Sequence, residues 1–387
     1  MRAIVAILVA CGACGGGSAG NSDAASHTDT AIAIDAAIPD APSCPALGAI
    51  DVAHATEVTV NGDAPALGIF DPSLVYPGDA SGGAMAYSAV PDQQTIRTHV
   101  AVSADHGATW TMVAEANTPE ATALTTTDMT ECPGGTCTGN LISEVSSLIY
   151  DADEPDAAKK WKLFAHRYLV GPNVALHYAY GTITLQTAAQ PQGPWTAPQK
   201  LIGWTSPSPY SSTGVVVNAT TLAGTTQDCR ALTEPGAIWL PGAIDLAVGC
   251  VYLDGATPKI RIELLRSTTH GASWVSVGTL LRAADAACSG NPPNLNGADL
   301  YATNGTEYVV ATPSDSTGYR GCMVFPIDDP STGKIERDGQ GRAVVAQDFT
   351  AGQFNGACTF ADGANGMMLD VGFFQAAKPF RIYSFPL

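Results

Sequence analysis

The sequence predicts an all-β fold, and three observations lead to this expectation. Hydrophobic residues make up 45% of the 387 residues and charged residues only 14%, which is far less charge than a coiled coil or helical bundle carries. The chain contains 40 glycines and 26 prolines, the residues that favour turns. Short apolar runs alternate with turn residues from about residue 48 onward, without a convincing amphipathic helix. Many short strands at such spacing are typical of a sandwich, a barrel or a propeller.

The predicted strands follow one another along most of the chain. Each is a short run of apolar residues that lies between glycine, proline, aspartate or asparagine turns. The clearest segments are Ala84–Ala89, Thr98–Ser103, Trp161–Tyr168, Ala175–Thr184, Ile244–Tyr252, Arg261–Ser267, Glu307–Thr312 and Phe380–Phe385.

An internal repeat favours the propeller among these folds. The copies are Asp71-Pro-Ser-Leu-Val-Tyr76, Glu144-Val-Ser-Ser-Leu-Ile149, Glu234-Pro-Gly-Ala-Ile-Trp239, Leu295-Asn-Gly-Ala-Asp-Leu300 and Phe354-Asn-Gly-Ala-Cys-Thr359. Each copy begins an innermost strand, and two or three further strands follow it. The sequence therefore predicts a five-bladed β-propeller of four-stranded antiparallel blades. Only three strands fit after the last copy, so we expect Ala55–Val60 to supply the fourth strand and close the ring.

Two turns resemble the Asp-box, S-x-D-x-G-x-[ST]-W, of sialidases and other propellers. Ser103-Ala-Asp-His-Gly-Ala-Thr-Trp110 matches the pattern, and Ser267-Thr-Thr-His-Gly-Ala-Ser-Trp274 carries Thr269 in place of the aspartate. In the box, the aspartate caps backbone N–H groups, glycine supplies a positive φ and tryptophan packs into the blade. We expect both turns to join the third and fourth strands of blades one and three, away from the propeller axis.

Three carboxylates begin successive inner strands, namely Asp71, Glu144 and Glu234. Equivalent positions in a propeller converge around one mouth of the central channel, so the repeat predicts an acidic pocket at that mouth. Cleavage of a glycosidic bond requires one protonated and one ionised carboxyl group, and a third charge can hold their pKa values apart.

The arrangement resembles the five-bladed glycosidases of glycoside hydrolase family 43. Asp71-Pro-Ser and Glu234-Pro-Gly match the blade-start motifs of that family, whereas Glu144-Val-Ser has glutamate for aspartate and lacks the proline. The resemblance implies that Asp71 is the base, that Glu144 adjusts pKa and orientation, and that Glu234 is the general acid. His166 and Trp239 are candidates for contact with a sugar, and core packing is the alternative for both.

Two other functions remain open at this stage. Acidic strand starts can also cap turns or hold a structural or channel cation such as calcium, so the alternative is a non-catalytic glycan-binding or scaffold propeller. A sialidase-like hydrolase would clamp a carboxylate with three arginines and pair a tyrosine nucleophile with a glutamate. No Phe-Arg-Ile-Pro motif precedes the first repeat, although arginines are available at Arg97, Arg167, Arg230, Arg320 and Arg381. No cofactor motif is present.

The N-terminus predicts an exported lipoprotein. Leu8-Val9-Ala10-Cys11 resembles the bacterial lipobox, which implies cleavage before Cys11 and acylation of its thiol at the outer membrane or cell surface. Alternatives are acylation of Cys14 and an ordinary cleaved signal peptide. We expect a signal peptide at 1–10, a disordered tether at 11–45, where large side chains are scarce, and the propeller at 46–387.

Cysteine and charge content narrow the remaining partners. Eight further cysteines in an exported chain favour disulfides, and Cys132-Pro-Gly-Gly-Thr-Cys137 can close a tight loop. A net charge of −18 argues against nucleic-acid binding, which depends on clustered basic residues. We therefore expect a monomer that binds a glycan and meets the membrane through its lipid anchor alone.

Overall fold

The computed structural model describes residues 55–387 except for 79–81, 93, 126–131, 133, 173–174, 205–213, 223, 290–291, 293, 316–317, 351–355, 361–366, 372–379 and 386–387. These described residues form strands and short 3₁₀ turns at Ala157–Lys159, Thr225–Asp228 and Ala283–Ser289, and they include no α-helix. The all-β prediction is therefore confirmed. Among them, no helix has the length and apolar character needed to cross a membrane.

The strands of the described residues group into five sheets that follow the order of the chain. The first strand, β1 (Thr56–Glu57), belongs to the last sheet. The first sheet contains β2 (Val60–Asn61), β3 (Ile69–Val75), β4 (Gly83–Asp92), β5 (Thr95–Ser103) and β6 (Trp110–Asn117). The second contains β7 (Glu120–Thr125), β8 (Thr136–Tyr150), β9 (Trp161–Gly171), β10 (Ala175–Ala188), β11 (Gln199–Gly203) and β12 (Val217–Asn218).

The third and fifth sheets have four strands each, as predicted, whereas the fourth has six. The third contains β13 (Ala231–Leu240), β14 (Ala243–Asp254), β15 (Thr257–Ser267) and β16 (Val275–Leu281). The fourth contains β17 (Asn294–Thr303), β18 (Thr306–Asp315), β19 (Gly318–Tyr319), β20 (Met323–Asp329), β21 (Lys334–Ile335) and β22 (Gln347–Asp348). The fifth contains β23 (Cys358–Phe360), β24 (Met367–Val371), β25 (Arg381–Phe385) and β1. Every predicted strand overlaps an observed one, and Phe380 lies just outside its strand.

The sheets are arranged as a closed ring. The first full strands of successive sheets, β3, β8, β13, β17 and β23, contact one another in that order, and β23 also contacts β3. The last sheet is completed by the N-terminal strand, because Thr56 pairs with Ser384 and Glu57 pairs with Tyr383. This is a β-propeller. Within the predicted closing segment Ala55–Val60, Thr56–Glu57 completes the last sheet as predicted, whereas Val60 pairs with Trp110 in the first sheet.

Hydroxyl groups connect the inner strands across the ring. In three places, a backbone N–H of one inner strand donates a hydrogen bond to a hydroxyl of the neighbouring inner strand: Leu148 to Ser73 (2.9 Å), Ala237 to Ser147 (2.8 Å) and Leu74 to Thr359 (3.3 Å). These bonds satisfy donors that are buried away from water. They also fix the height of each inner strand relative to the next, which places the strand starts together at one end of the channel.

The turn between β5 and β6 is held by side-chain caps. The Ser103 hydroxyl accepts a hydrogen bond from the Gly107 N–H (2.8 Å), and Asp105 Oδ1 accepts one from the Thr109 N–H (2.9 Å). Gly107 has a φ of 81°, a conformation that glycine adopts without steric cost. Trp110 follows the turn and is only 1% exposed. The turn therefore joins the third and fourth full strands of the first sheet, as predicted.

The turn between β15 and β16 follows the same scheme with a hydroxyl in place of the carboxylate. Thr269 Oγ1 accepts a hydrogen bond from the Ser273 N–H (2.9 Å), and the Ser267 hydroxyl accepts one from the Gly271 N–H (2.8 Å). Trp274 is 6% exposed, and its ring packs edge-on against Phe164 of the second sheet. This turn also occupies its predicted place, in the third sheet.

Three disulfide bonds have both cysteines among the described residues. The bonds join Cys132 to Cys137, Cys229 to Cys250 and Cys322 to Cys358, and Cys288 is disulfide-bonded as well. The predicted Cys132–Cys137 loop is therefore confirmed. The signal peptide, the tether and Cys11 lie outside the described residues.

Candidate functional site

Two of the three predicted carboxylates occupy bulges at the start of their inner strands. Asp71 and Glu234 have φ values of 49° and 48°, and the pairing with the adjacent strand shifts at both residues. A positive φ is uncommon outside glycine. Such backbone costs about 1–3 kcal/mol and persists where surrounding structure enforces it, often at functional sites. The backbone at these two strand starts therefore has an unusual conformation at the residue that carries the carboxyl group.

The predicted equivalence of Glu144 with these residues was wrong by one position. In the second sheet, the bulge residue is Val145, with a φ of 45°, and Glu144 precedes it. The sequence comparison matched carboxylates, whereas the backbone matches Val145-Ser-Ser-Leu-Ile-Tyr150 with Asp71-Pro-Ser-Leu-Val-Tyr76. A β-branched residue at positive φ is a genuine conformational outlier. Glu144 therefore reaches the site from a different backbone position than Asp71 and Glu234.

The strand starts line a narrow channel along the propeller axis. Its walls include Asp71, Val145, Pro235, Gly297 and Ala357. The free space inside it is about 20 Å³, which is room for about one water molecule. The strand starts of neighbouring sheets therefore meet at this channel, as the repeat predicted, but of the three predicted carboxylates only Asp71 lines its wall.

Asp299 also lines the channel, and sequence reasoning had assigned it no role. Its carboxyl accepts hydrogen bonds from the Thr359 side chain and from the backbone of Leu300 and Phe360, while burial raises its pKa to about 7. It is the fifth residue of the fourth repeat, Leu295-Asn-Gly-Ala-Asp-Leu300, whereas the acidic residues of the first three repeats stand at the first position.

Glu234 is held by residues of the fourth sheet. The Tyr319 hydroxyl lies 2.7 Å from Oε1 and 2.8 Å from Oε2 of Glu234. Asn296 and the Gly297 N–H also donate hydrogen bonds to this carboxyl group. Glu234 is 7% exposed, and burial raises its pKa to about 7 despite these donors. A carboxyl group with this pKa can hold a proton near neutral pH and release it when a partner demands it.

Glu144 lies in a second buried cluster on the second sheet. The Tyr168 hydroxyl donates a hydrogen bond to Glu144 Oε1 (2.5 Å), and Oε2 is buried with no hydrogen-bond partner among the described residues. Burial, with a smaller contribution from the nearby Glu234 charge, raises the pKa of Glu144 to about 8. The two glutamates are thus electrostatic neighbours, and Glu144 carries its proton at neutral pH.

His166 belongs to the Glu144 cluster. It is the cross-strand partner of Glu144, is 1% exposed and lies with its ring centroid 4.8 Å from that of Tyr168. Burial lowers its pKa to about 3, so the imidazole is neutral. Its sequence-based role as a sugar contact stays a prediction. The structure places it inside the protein, across the strand pair from Glu144 and beside Tyr168.

The physical origin of the raised pKa values differs from the sequence argument. That argument attributed the expected rise at Glu234 to its neighbouring carboxylates. In the structure, burial is the largest cause at both glutamates, and repulsion between the pair is a lesser cause that acts on Glu144. The direction of the prediction agrees with the structure, but desolvation is the dominant reason.

The raised pKa of Glu144 predicts how stability changes with pH. Glu144 titrates near its ordinary value of 4.5 when unfolded and at about 8 when folded, so the folded state holds the extra proton between these values. The free energy of unfolding should therefore fall as pH rises from about 4.5 to about 8, by up to about 1.4 kcal/mol for each unit of pKa difference. Glu144→Gln should remove this part of the slope in urea titrations across that range.

A matched control is Glu57→Gln, because Glu57 is an exposed residue. This change should leave the slope unaltered. An unchanged slope in Glu144→Gln would show that Glu144 is ionised in the folded protein.

Trp239 lies apart from these residues. It follows Glu234 by five positions on β13 and packs against the hydrophobic cluster between the second and third sheets. It pairs with Ile244 at the far end of the β13–β14 hairpin, near the turn that joins the two strands. The structure thus does not bring Trp239 to the strand starts. A sugar bound at the carboxyl groups there would not stack on its ring.

Metal-binding groups among the described residues do not include the axial carboxylates. Three clusters of cysteine, histidine and carboxylate atoms are close enough to share an ion, and in two of them the cysteines already form disulfides. In the third, formed by Asp151, Glu154 and His270, the Lys162 ammonium lies 3.5 Å from Asp151 and 2.8 Å from Glu154. A lysine therefore already supplies the positive charge there, and a calcium ion at the channel stays a prediction.

The residues that sequence reasoning missed are mostly the supports of the carboxyl groups. Tyr168 lies at the end of the predicted strand Trp161–Tyr168, and the sequence indicated no role for it. Tyr319 lies on β19, a two-residue strand outside any repeat, and it is 85 residues from Glu234. No local pattern marks either tyrosine as the partner of a glutamate.

Comparisons with known proteins agree with this architecture. No protein-family model matches the sequence, and no curated protein matches it. The GH32 β-fructofuranosidase BmSUC1 of Bombyx mori matches with a TM-score of 0.51 at 10% identity, covering 85% of this chain and 61% of that protein. Zg3597, a family 117 glycoside hydrolase of the marine bacterium Zobellia galactanivorans, matches with a TM-score of 0.50 at 12% identity, covering 86% and 90%. The chain spans about three fifths of the Bombyx mori protein, and at these identities what it shares with both is the β-propeller fold.

Proposed function

We propose that this protein cleaves glycosidic bonds with the carboxyl groups at the mouth of its axial channel. The observation that carries the proposal is Glu234, a buried carboxyl group with a pKa of about 7 at a strand start that adjoins the channel lined by Asp71. Glycoside cleavage needs a carboxylic acid that protonates the leaving oxygen and a second carboxylate that acts on the other side of the sugar. Glu234 suits the first role and Asp71 the second, as the resemblance to family 43 implies.

Glu144 has a supporting role in this proposal. Its proton makes it neutral near pH 7, so it adds no full negative charge beside Glu234. When Glu234 has given its proton to the substrate, the ionised Glu234 meets a neutral neighbour rather than a second anion. This arrangement lowers the electrostatic cost of the proton transfer.

A sialidase-like activity is less well supported. Such an enzyme needs free arginines to clamp the substrate carboxylate. Four of the five candidate arginines are ion-paired with carboxylates of the protein: Arg97 with Glu115, Arg167 with Glu120, Arg320 with Asp315 and Arg381 with Glu57. A substrate would have to displace these partners. Non-catalytic glycan binding uses the same mouth and differs only in lacking turnover.

The experiment that tests the proposal separates turnover from binding. The purified protein is screened against a glycan array and, in parallel, against chromogenic and natural glycosides. The proposal predicts that at least one glycan that binds is also cleaved. Binding to glycans without release of any sugar would assign the protein to the non-catalytic class.

We further propose that the propeller acts at the cell surface as a lipid-anchored protein. The lipobox-like Leu8-Val9-Ala10-Cys11 and the tether at 11–45 support this placement. Cys11→Ser should release the protein from membranes, because acyl chains supply most of the membrane affinity of such proteins. Cell fractionation and mass spectrometry of the N-terminus measure the result, with Cys14→Ser as the matched control. Membrane retention of Cys11→Ser together with release of Cys14→Ser would move the acylation site to Cys14.

A further inference from the structure

The Tyr319 hydroxyl lies between the two oxygens of the Glu234 carboxyl group. The distances of 2.7 and 2.8 Å are those of strong O–H···O hydrogen bonds, and Tyr319 is 6% exposed. A phenol has one proton to donate, so its bond to Glu234 is shared between Oε1 and Oε2. Such a contact holds the carboxyl plane in one orientation relative to the channel.

A second donor directs the tyrosine proton towards Glu234. The Asn296 amide Nδ2 donates a hydrogen bond to the Tyr319 hydroxyl oxygen (3.1 Å), and the Thr233 hydroxyl donates one to Asn296 Oδ1 (3.3 Å). With its oxygen accepting from Asn296, the hydroxyl presents its proton to the carboxyl group. Gly249 leaves room for this chain, since a Cβ there would lie 2.5 Å from both Asn296 Oδ1 and Thr233 Oγ1.

The backbone around Tyr319 is firmly held. Tyr319 pairs with Ser314 in the β18–β19 hairpin, and the Arg320 N–H donates a hydrogen bond to the Pro313 carbonyl (2.8 Å). The Cys322–Cys358 disulfide then ties the following segment to the fifth sheet. Tyr319 is therefore held by the fourth sheet in a position where its hydroxyl contacts Glu234 of the third sheet.

We propose that Tyr319 is a positioning residue for Glu234, which orients its carboxyl group and stabilises its ionised form. The catalytic part of this inference rests on the proposed function. If Glu234 is the proton donor, it must lose its proton, and a group that stabilises its ionised form assists that step. In the reaction, the Glu234 proton passes to the leaving oxygen as the glycosidic C–O bond breaks, and Glu234 becomes a carboxylate. Water adds to the sugar carbon and gives its proton to Asp71, the proposed base. A hydrogen bond to a charged acceptor is stronger than one to a neutral acceptor, so the Tyr319 bond strengthens during this step.

The test measures Glu234 directly, without requiring turnover. Protein with ¹³C-labelled glutamate carboxyl groups is titrated by NMR, and the Glu234 signal is the one missing in Glu234→Gln. Tyr319→Phe removes only the hydroxyl and should shift the titration of Glu234 upward by roughly one to two pH units, the worth of a hydrogen bond to a charged group. Asn296→Ala should shift it in the same direction, because Asn296 both directs the Tyr319 hydroxyl and donates a hydrogen bond to Glu234 itself.

The matched control is Tyr87→Phe, which removes a buried hydroxyl that donates to Asp63 Oδ2 (2.6 Å) in the first sheet. It should leave the Glu234 titration unchanged. Unaltered titration in Tyr319→Phe, or an equal shift in Tyr87→Phe, overturns the inference.

A cleaved glycoside provides a second readout. In Tyr319→Phe, the basic limb of the pH–rate profile should move to higher pH by the same amount as the NMR titration, with kcat affected more than KM. If the titration shifts but the wild-type protein cleaves no glycoside, the tyrosine–glutamate coupling stands and the proposed function fails. A basic limb that stays in place while the titration shifts would overturn the role of Tyr319 in catalysis.

Discussion

Glu234→Gln should lower the hydrolysis of natural glycosides by roughly 10²–10⁴-fold, the usual contribution of general acid–base assistance. Glutamine keeps the shape of the side chain and can still accept a hydrogen bond from Tyr319, but it has no proton to give to the leaving oxygen. Steady-state rates on a natural glycan and on an activated aryl glycoside measure the effect. The aryl substrate should lose much less, because a good leaving group needs little protonation.

The matched control for this change is Glu307→Gln. Glu307 is also a partly buried glutamate with a raised pKa, but it lies near Asp245 and Arg266, away from the axial channel. Its substitution should leave both rates within a few-fold of the wild type. Equal losses on the natural and the activated substrate, or a wild-type rate in Glu234→Gln, would remove Glu234 from the role of proton donor.

Lys162→Ala should destabilise the protein by about 3–5 kcal/mol, the typical cost of removing one partner from a buried ion pair. The ammonium group is 1% exposed and lies 2.8 Å from Glu154 and 3.5 Å from Asp151, which also contacts His270 at 2.9 Å. Without Lys162, two carboxylates of the second sheet lose their buried counter-charge, and the link to the third sheet weakens. Chemical denaturation followed by tryptophan fluorescence gives the free energy of unfolding.

Lys159→Ala is the surface counterpart. Lys159 pairs with Asp156 at 3.1 Å, but the two side chains are 56% and 47% exposed. Exposed pairs contribute about 0–1 kcal/mol, so this variant should unfold almost as the wild type does. Comparable losses in both variants would mean that the Lys162 pair is open to water.

The repeat made the architecture predictable from sequence. Apolar runs between turn residues have the period of strands, and the repeated strand starts placed the inner strands and the closing strand of the last sheet. The turns before Trp110 and Trp274 were predictable for the same reason, because their caps involve residues only four positions apart. A turn held by hydrogen bonds between residues close in sequence can therefore be recognised from a short sequence motif.

The site was less predictable because its contacts are long-range. Val145 replaces Glu144 at the bulge, and backbone register cannot be read from a carboxylate match. The partner of Glu234 is a tyrosine on a short strand of another sheet, and the charge that balances Asp151 comes from Lys162 on the next strand. Trp239 was linked to the site because it shares a strand with Glu234, but five residues along a strand span about 16 Å.

Catalysis by the axial carboxylates is tested by measuring new reducing ends with NMR. A natural glycan that the protein binds is incubated in parallel with the wild type and with Asp71→Asn. This substitution keeps the size of the side chain at the channel and removes its charge. We expect sugar release by the wild type and a loss of at least about 10²-fold in the variant, with glycan binding retained. Sugar release at equal rates by both proteins would contradict a catalytic role for the axial carboxylates, and binding without release by the wild type would contradict glycoside cleavage itself.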